Sequence, residues 1–235
     1  MAGERRVSIH GGVVRRPVAP WTDTVHSLLA HLHAAGLPVP EPLGVEGAQE
    51  VLRLVPGEAG EQAWPHQSLI SAVRSAGSLL RALHLGTRSW VPPPGARWAV
   101  PSEGGSTVCH GDPKPTNMAW RDGVAIAVFD WDMARPAPEV SDVAYALYWF
   151  APFDVDEAEL RHRHLSKTFD AHARIEAFLD GYGWTGPLDV MQAVADRREQ
   201  AVKEVVYLGE RGHMPHAAWV DAGWPDRWRT EPRLP

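Results

Sequence analysis

One cysteine in 235 residues, Cys109, excludes an intrachain disulfide and a zinc site built on thiolates. It closes the apolar run Thr107-Val108-Cys109 and reads as a buried strand residue rather than a reactive thiol. No apolar run is long enough to span a bilayer, and the opening MAGERRVSIHGG lacks the apolar core of a secretory signal. A membrane partner is therefore not expected, and a cytoplasmic location is. Basic residues are also in the minority. With 23 Lys+Arg against 29 Asp+Glu the net charge is −6, so nucleic acid is not the expected partner, because phosphate binding needs a basic surface. There is no internal repeat and no low-complexity segment. What is abundant is Trp (11) and His (12), read mainly as packing residues. A hydrophobic fraction of 44% supports a real core, in one large domain or two small lobes.

Along the chain, Arg6–Ile9 and Gly12–Arg16 flank His10-Gly11 as a short hairpin. A helix follows from Thr22, with Val25, Leu28, Leu29 and Leu32 at helical spacing, and Gly36 stops it. Strands are expected near Pro42–Val45 and Glu50–Val55, then a turn at Pro56-Gly57. The rest reads as mostly helical: Gln67–Leu85, Val140–Phe150, Glu157–Leu179 and Leu188–Leu208. A Pro- and Gly-rich connection over 88–105 is expected to pack on the surface. Val124–Phe129 is an apolar strand, and the Trp-rich tail from Ala217 has no clear conformation.

The informative stretch is His110-Gly111-Asp112-Pro113-Lys114-Pro115-Thr116-Asn117, followed by Asp130-Trp131-Asp132. Asp112 and Asn117 stand five apart, the spacing of base and metal ligand in a kinase catalytic loop. Asp130 ends an apolar strand that would hold its carboxylate rigidly. Phosphoryl transfer needs these parts: a carboxylate for the acceptor hydroxyl, and oxygen ligands that hold magnesium against the phosphates. Singly, each also reads as a turn or loop cap; it is the combination that points to chemistry.

HGDPKPTNMAW with AVFDWDMARPAPEVSDVAYAL resembles the aminoglycoside phosphotransferase and choline kinase family, whose members carry an HGD-x4-N loop and a D-x-D motif. The resemblance implies an α+β, bilobal, protein-kinase-like fold. A short strand-rich nucleotide lobe would span residues 1–60, and a mainly helical catalytic and substrate lobe 61–235. It implies ATP and Mg2+ as cofactors and a small hydroxylated molecule as acceptor. Asp112 would be the catalytic base, Asn117 and Asp130 magnesium ligands, and Asp132 a second acidic group near the metal. His110 would support the loop, and Asp142 would anchor the following helix. Lys114 fits a cation near the transferring phosphate and a solvated loop lysine equally well. Gly111 stands where protein kinases have an arginine, which speaks against a protein substrate.

The nucleotide side is less complete. Arg15 is the best match for the strand cation that holds the α/β-phosphates, with Arg16 beside it; alternation sends only one of them to the cleft. The strand carrying Val51, Leu52, Leu54 and Val55 is where the resemblance implies the adenine lies. No glutamate occurs in the helix from Thr22 to Ala35, and neither Asp23 nor His26 substitutes convincingly. Few residues precede Arg15 to cover the phosphates. A catalytically silent, kinase-like binding module is therefore the alternative. Asp154, Asp156, Glu157 and Glu159 could face a cationic acceptor or simply stabilise a helix N-terminus. Tyr145, Tyr148, Trp149 and Phe150 read as a packed face. The acceptor's identity and the oligomeric state stay open.

Overall fold

Gly11 and Gly12 take positive φ of 59° and 73°, the paired left-handed values of a two-residue hairpin turn. They fold β1 (Ser8–His10) back on β2 (Val13–Pro17). The expected hairpin thus forms with its turn one residue later, and Arg6 lies outside the described residues. The structure, a computed structural model, describes residues 7–152 and 155–230. Helix α1 (Thr22–Ala34) buries Val25, Leu28, Leu29 and Leu32, as the 3.6-residue period requires. β3 (Pro42–Glu46) and β4 (Gln49–Arg53) complete an antiparallel sheet in the order β1-β2-β4-β3. Its register sets Val14 opposite Leu52, Arg15 opposite Val51 and Arg16 opposite Glu50. Because side chains alternate along a strand, Val14, Leu52, Arg16 and Glu50 share one face, and Arg15 and Val51 share the other.

The chain leaves this sheet through Pro56-Gly57. It then zips onto the second region through reciprocal backbone bonds between Glu58 and Trp120, at 2.9 and 2.8 Å. Helix α2 (Ile70–Thr87) follows, then the connection over 88–105, whose Glu103 N–H donates to the Pro136 carbonyl at 3.0 Å. β5 (Val108–Cys109) leads to the loop and, past a short turn, to β6 (Met118–Arg121) and β7 (Val124–Val128). β6 and β7 pair around Asp122-Gly123. The sequence reading found only the second of these strands, although Asp-Gly between apolar runs is a strong hairpin signal. β8 (Arg135–Pro136) pairs with β5.

Helix α3 (Glu139–Phe150) is buried from Ser141 to Phe150. The single helix expected over Glu157–Leu179 is instead two, α4 (Glu157–His162) and α5 (Ala171–Tyr182). Between them His164 takes φ 56°, and Asp170 caps α5 by accepting from the Ala173 N–H at 3.0 Å. An Asp placed before a helix satisfies an otherwise free donor, and that signal competes with a continuous apolar period. α6 (Val190–Gly209) packs on α3, and the Trp-rich tail forms α7 (His216–Asp221) and α8 (Trp224–Thr230).

α2 and α5 cross at two glycines. A Cβ on Gly77 would run into the Phe178 carbonyl, and one on Gly181 into the Arg74 carbonyl. This close approach lets His84 meet Tyr182 across the crossing, ring nitrogen Nδ1 to hydroxyl, at 2.8 Å. One apolar cluster runs from Trp21 and Leu28 of the sheet side to Trp120, Phe150 and Phe178 of the helical side. Among the described residues, no helix is long and apolar enough to cross a membrane.

Candidate active site

β5 delivers the chain into a loop whose backbone is fixed from below. Asp142, one turn into α3 and fully buried, accepts from the N–H groups of His110 at 2.6 Å and Gly111 at 2.8 Å. His84 Nε2 donates to the same carboxylate at 2.9 Å. Burial by itself raises the Asp142 pKa, but the hydrogen bond and charge of His84, with the Gly111 N–H, outweigh it and hold the group down at about 2. The sequence reading gave Asp142 the job of anchoring its own helix. Its side chain instead anchors the loop.

Gly111 has φ 87°, and a Cβ there would strike the Met133 carbonyl. An arginine at this position is therefore sterically excluded. The Gly111 carbonyl accepts from Arg197 Nη2 of α6 at 2.7 Å, and Arg197 stacks 4.5 Å above the Tyr145 ring. Glu204 holds Arg197 at 3.1 Å and also binds Arg135. His110 accepts at Nδ1 from the Asp112 N–H at 3.2 Å, so its Nε2 carries the proton donated to the Phe129 carbonyl at 2.9 Å. That bond ties the loop to the end of β7, as does the Phe129 N–H to the Asn117 carbonyl at 3.0 Å.

This frame presents the polar residues. Asp112 Oδ2 accepts from Asn117 Nδ2 at 2.8 Å and lies 3.1 Å from Lys114 Nζ, while its buried Oδ1 has no hydrogen-bond partner. With Asn117 Nδ2 engaged by Asp112, Asn117 Oδ1 is the atom left to act as a ligand. Lys114 also stands 5.8 Å over the Trp149 ring. Asp130 takes a left-handed backbone, φ 64° and ψ 61°, an uncommon conformation for a residue with a Cβ and one that concentrates at functional sites.

The cation that meets these carboxylates is Arg16. Its Nη1 donates to Asp130 at 2.6 Å, its Nη2 to Asp132 at 3.0 Å and its Nε to Glu50 at 2.6 Å. Trp21 Nε1 donates to Asp132 at 3.2 Å. Arg15, the expected cation, points to the opposite face and pairs with the exposed Glu46 at 3.3 Å. The β2–β4 register decides this, since it puts Arg16 rather than Arg15 in the row with Val14 and Leu52.

Between sheet and loop lies a cavity of about 490 Å³, walled by Val7, Ile9, Val14, Leu52, Leu54, Val55 and Phe129, with Arg16 and Asp130 at its polar end. Leu52, Leu54 and Val55 thus line this cavity. Val51 does not line the cavity; alternation turns it to the other face, where it is buried. Of the residues weighed for the acceptor, Asp156 caps α4 through the Glu159 N–H at 2.8 Å, and Glu159 holds Arg163 at 2.8 Å. Asp154 lies outside the described residues. Tyr145, Tyr148 and Phe150 are packed into the core.

Comparison with known proteins bears on this arrangement. The model of the phosphotransferase enzyme family matches residues 13–101 and 88–188, well over half of the chain. The chain belongs to this family. The match takes in Arg16, Asp112, Asn117 and Asp130. A relative named trifolitoxin immunity protein, from Rhizobium leguminosarum bv. trifolii, is 31% identical over 250 residues, covering 97% of this chain and 89% of its own length. Among solved structures, the amicoumacin kinase hAmiN in complex with AMP-PNP, Ca2+ and Ami superposes with a TM-score of 0.63 at 16% identity, covering 94% of this chain and 81% of that one. A choline/ethanolamine kinase family protein from Mesorhizobium loti gives 0.58 at 16% identity, covering 97% and 85%. These likenesses establish the α+β kinase-like fold of the family member described here: a small antiparallel sheet region over a mainly helical part.

Proposed function

We propose that this protein transfers the γ-phosphoryl group of ATP to a hydroxyl of a small molecule, with ATP held between residues 1–60 and 61–235. The observation that carries the proposal is that Arg16 and Asp130 together line an apolar cavity, while Asn117, bonded to Asp112, is tied through its carbonyl to the N–H of Phe129, the residue before Asp130. Asp112 Oδ1, buried and without a partner, is the atom that would take the acceptor's proton. Lys114, beside Asp112, would face charge developing on the phosphoryl oxygens. Arg16 would hold phosphate through its two Nη groups, and Val14, Leu52, Leu54 and Phe129 would enclose the base.

The ligand set suits magnesium: Asn117 Oδ1 with the carboxylates of Asp130 and Asp132 are all hard oxygen donors. When bound, Mg2+ would neutralise phosphate charge. The test is ATP turnover with magnesium against a panel of hydroxylated acceptors. Asp112→Ala should lower kcat by about a thousandfold with an unchanged melting temperature. Full activity in that variant would remove Asp112 from the role.

A second reading follows from the relative at 31% identity over 97% of the chain: an immunity factor that binds its target without turnover. Magnesium-dependent ATP hydrolysis or transfer that Asp112→Ala abolishes would end that reading.

A further inference from the structure

In kinase-like phosphotransfer the strand cation is held by a glutamate from the neighbouring helix, and α1 contains no glutamate. The geometry points to Glu50 of β4 and His26 of α1 as the positioning residues that aim Arg16 at the nucleotide phosphates, an inference that rests on the nucleotide site proposed above. Glu50 lies directly across the ladder from Arg16 and is 1% exposed. Both of its oxygens are engaged: Oε1 accepts from Arg16 Nε at 2.6 Å, and Oε2 from His26 Nε2 at 3.0 Å. The acid has moved from the helix to the adjacent strand, and the helix contributes a histidine behind it.

The choice of atom matters. A guanidinium held by its Nε turns its Nη1–Nη2 edge away from the holder, and here that edge meets Asp130 and Asp132. The same two-donor edge matches a pair of phosphate oxygens. When a phosphate takes those donors, the Nε bond to Glu50 is the contact that keeps the side chain aimed. His26 fixes the second oxygen of Glu50, so displacement of α1 is felt at Arg16. Backbone ladder bonds already join β2 to β4, so the side-chain pair is not needed to hold the two strands together.

The test compares binding of metal-free ADP and of adenosine by titration calorimetry in EDTA. In Glu50→Gln, ADP affinity should fall about tenfold or more, the loss of one charge-assisted hydrogen bond's worth of positioning. Adenosine affinity should stay within about twofold, since the apolar wall is untouched. Adding His26→Glu to Glu50→Gln restores an acid on the helix and should recover most of the ADP affinity. Unchanged ADP binding in Glu50→Gln overturns the inference, and so does an equal loss of ADP and adenosine, which would make Glu50 a folding residue only. Failure of His26→Glu to rescue removes His26 from the relay. If Glu50→Gln does not fold, Glu50→Asp, which keeps the charge but withdraws it by a methylene, carries the same two arms. A wild-type protein that binds adenosine and ADP equally overturns this inference but leaves the cleft a nucleotide site. One that binds neither overturns both.

Discussion

Around the loop over 110–117, two successive backbone N–H groups go to Asp142, the Gly111 carbonyl takes Arg197, and His110 and Asn117 link the loop to β7. The supports come from α2, α3, α6 and β7, and most are fully buried. In the sheet above, Arg16 reaches the carboxylates of the floor, with Trp21 Nε1 beside it on Asp132. It is held by one acid, and its remaining donors rest on Asp130 and Asp132. For the proposed transfer, the floor would have to keep Asp112 and Asn117 in place to within a fraction of an ångström, because misplaced groups forfeit rate steeply. The roof would have to admit and release the proposed nucleotide, a task that suits the exchangeable contacts of Arg16 with Asp130 and Asp132. Redundancy in one region and economy in the other would suit those two tasks.

The sharpest way to break the floor is Asp142→Ala, which leaves two buried N–H groups and His84 without their acceptor. Removing one member of such a buried charged network costs about 3–5 kcal/mol, so denaturant unfolding should show a large drop in midpoint. If stability is unchanged, the loop does not depend on its buried anchor. Breaking the roof should be gentler on the fold and more visible in binding. Arg16→Ala should weaken ATP binding on the order of tenfold to a hundredfold, read by the ligand-induced rise in melting temperature.

Acid should also separate the regions. Asp142 sits at about 2, below its ordinary 3.8, so the unfolded chain binds this proton more readily. The stability it contributes, roughly 2 kcal/mol, is complete above about pH 5 and is lost as pH falls through about 2. In Asp142→Asn the acid slope in that window should flatten, measured by urea unfolding across the range. The smallest effect belongs to Arg15→Ala, which removes an exposed pair on the far face. Stability should change by at most about 0.5 kcal/mol and ATP binding not at all, and a loss of binding there would undo the assignment of Arg16 to the cleft.

Much of this was legible beforehand because it is local. The Asp112 to Asn117 spacing, the apolar run into Asp130 and the apolar stripe of α1 are consequences of chain geometry over a few residues. The hairpin from β6 to β7 is legible too, in Asp122-Gly123 between two apolar runs. The break between α4 and α5 was not, since the apolar spacing continues through it and only the caps and the left-handed His164 end the helix.

What the sequence by itself determined, then, is the set of groups that chemistry needs and their order along the chain. The tertiary structure decided which of them meet. Arg16 rather than Arg15 faces the carboxylates because β2 pairs with β4 in one register, which sets Arg16 on the face of half-buried Val14 and buried Leu52. Glu50 lies 34 positions from Arg16 in the chain, and Asp142 lies 32 from the His110 N–H that it anchors. No local rule links residues at such separations. They come together because the apolar faces of the sheet and helices can be buried in only one arrangement, and each buried charge is stable there only beside its partner.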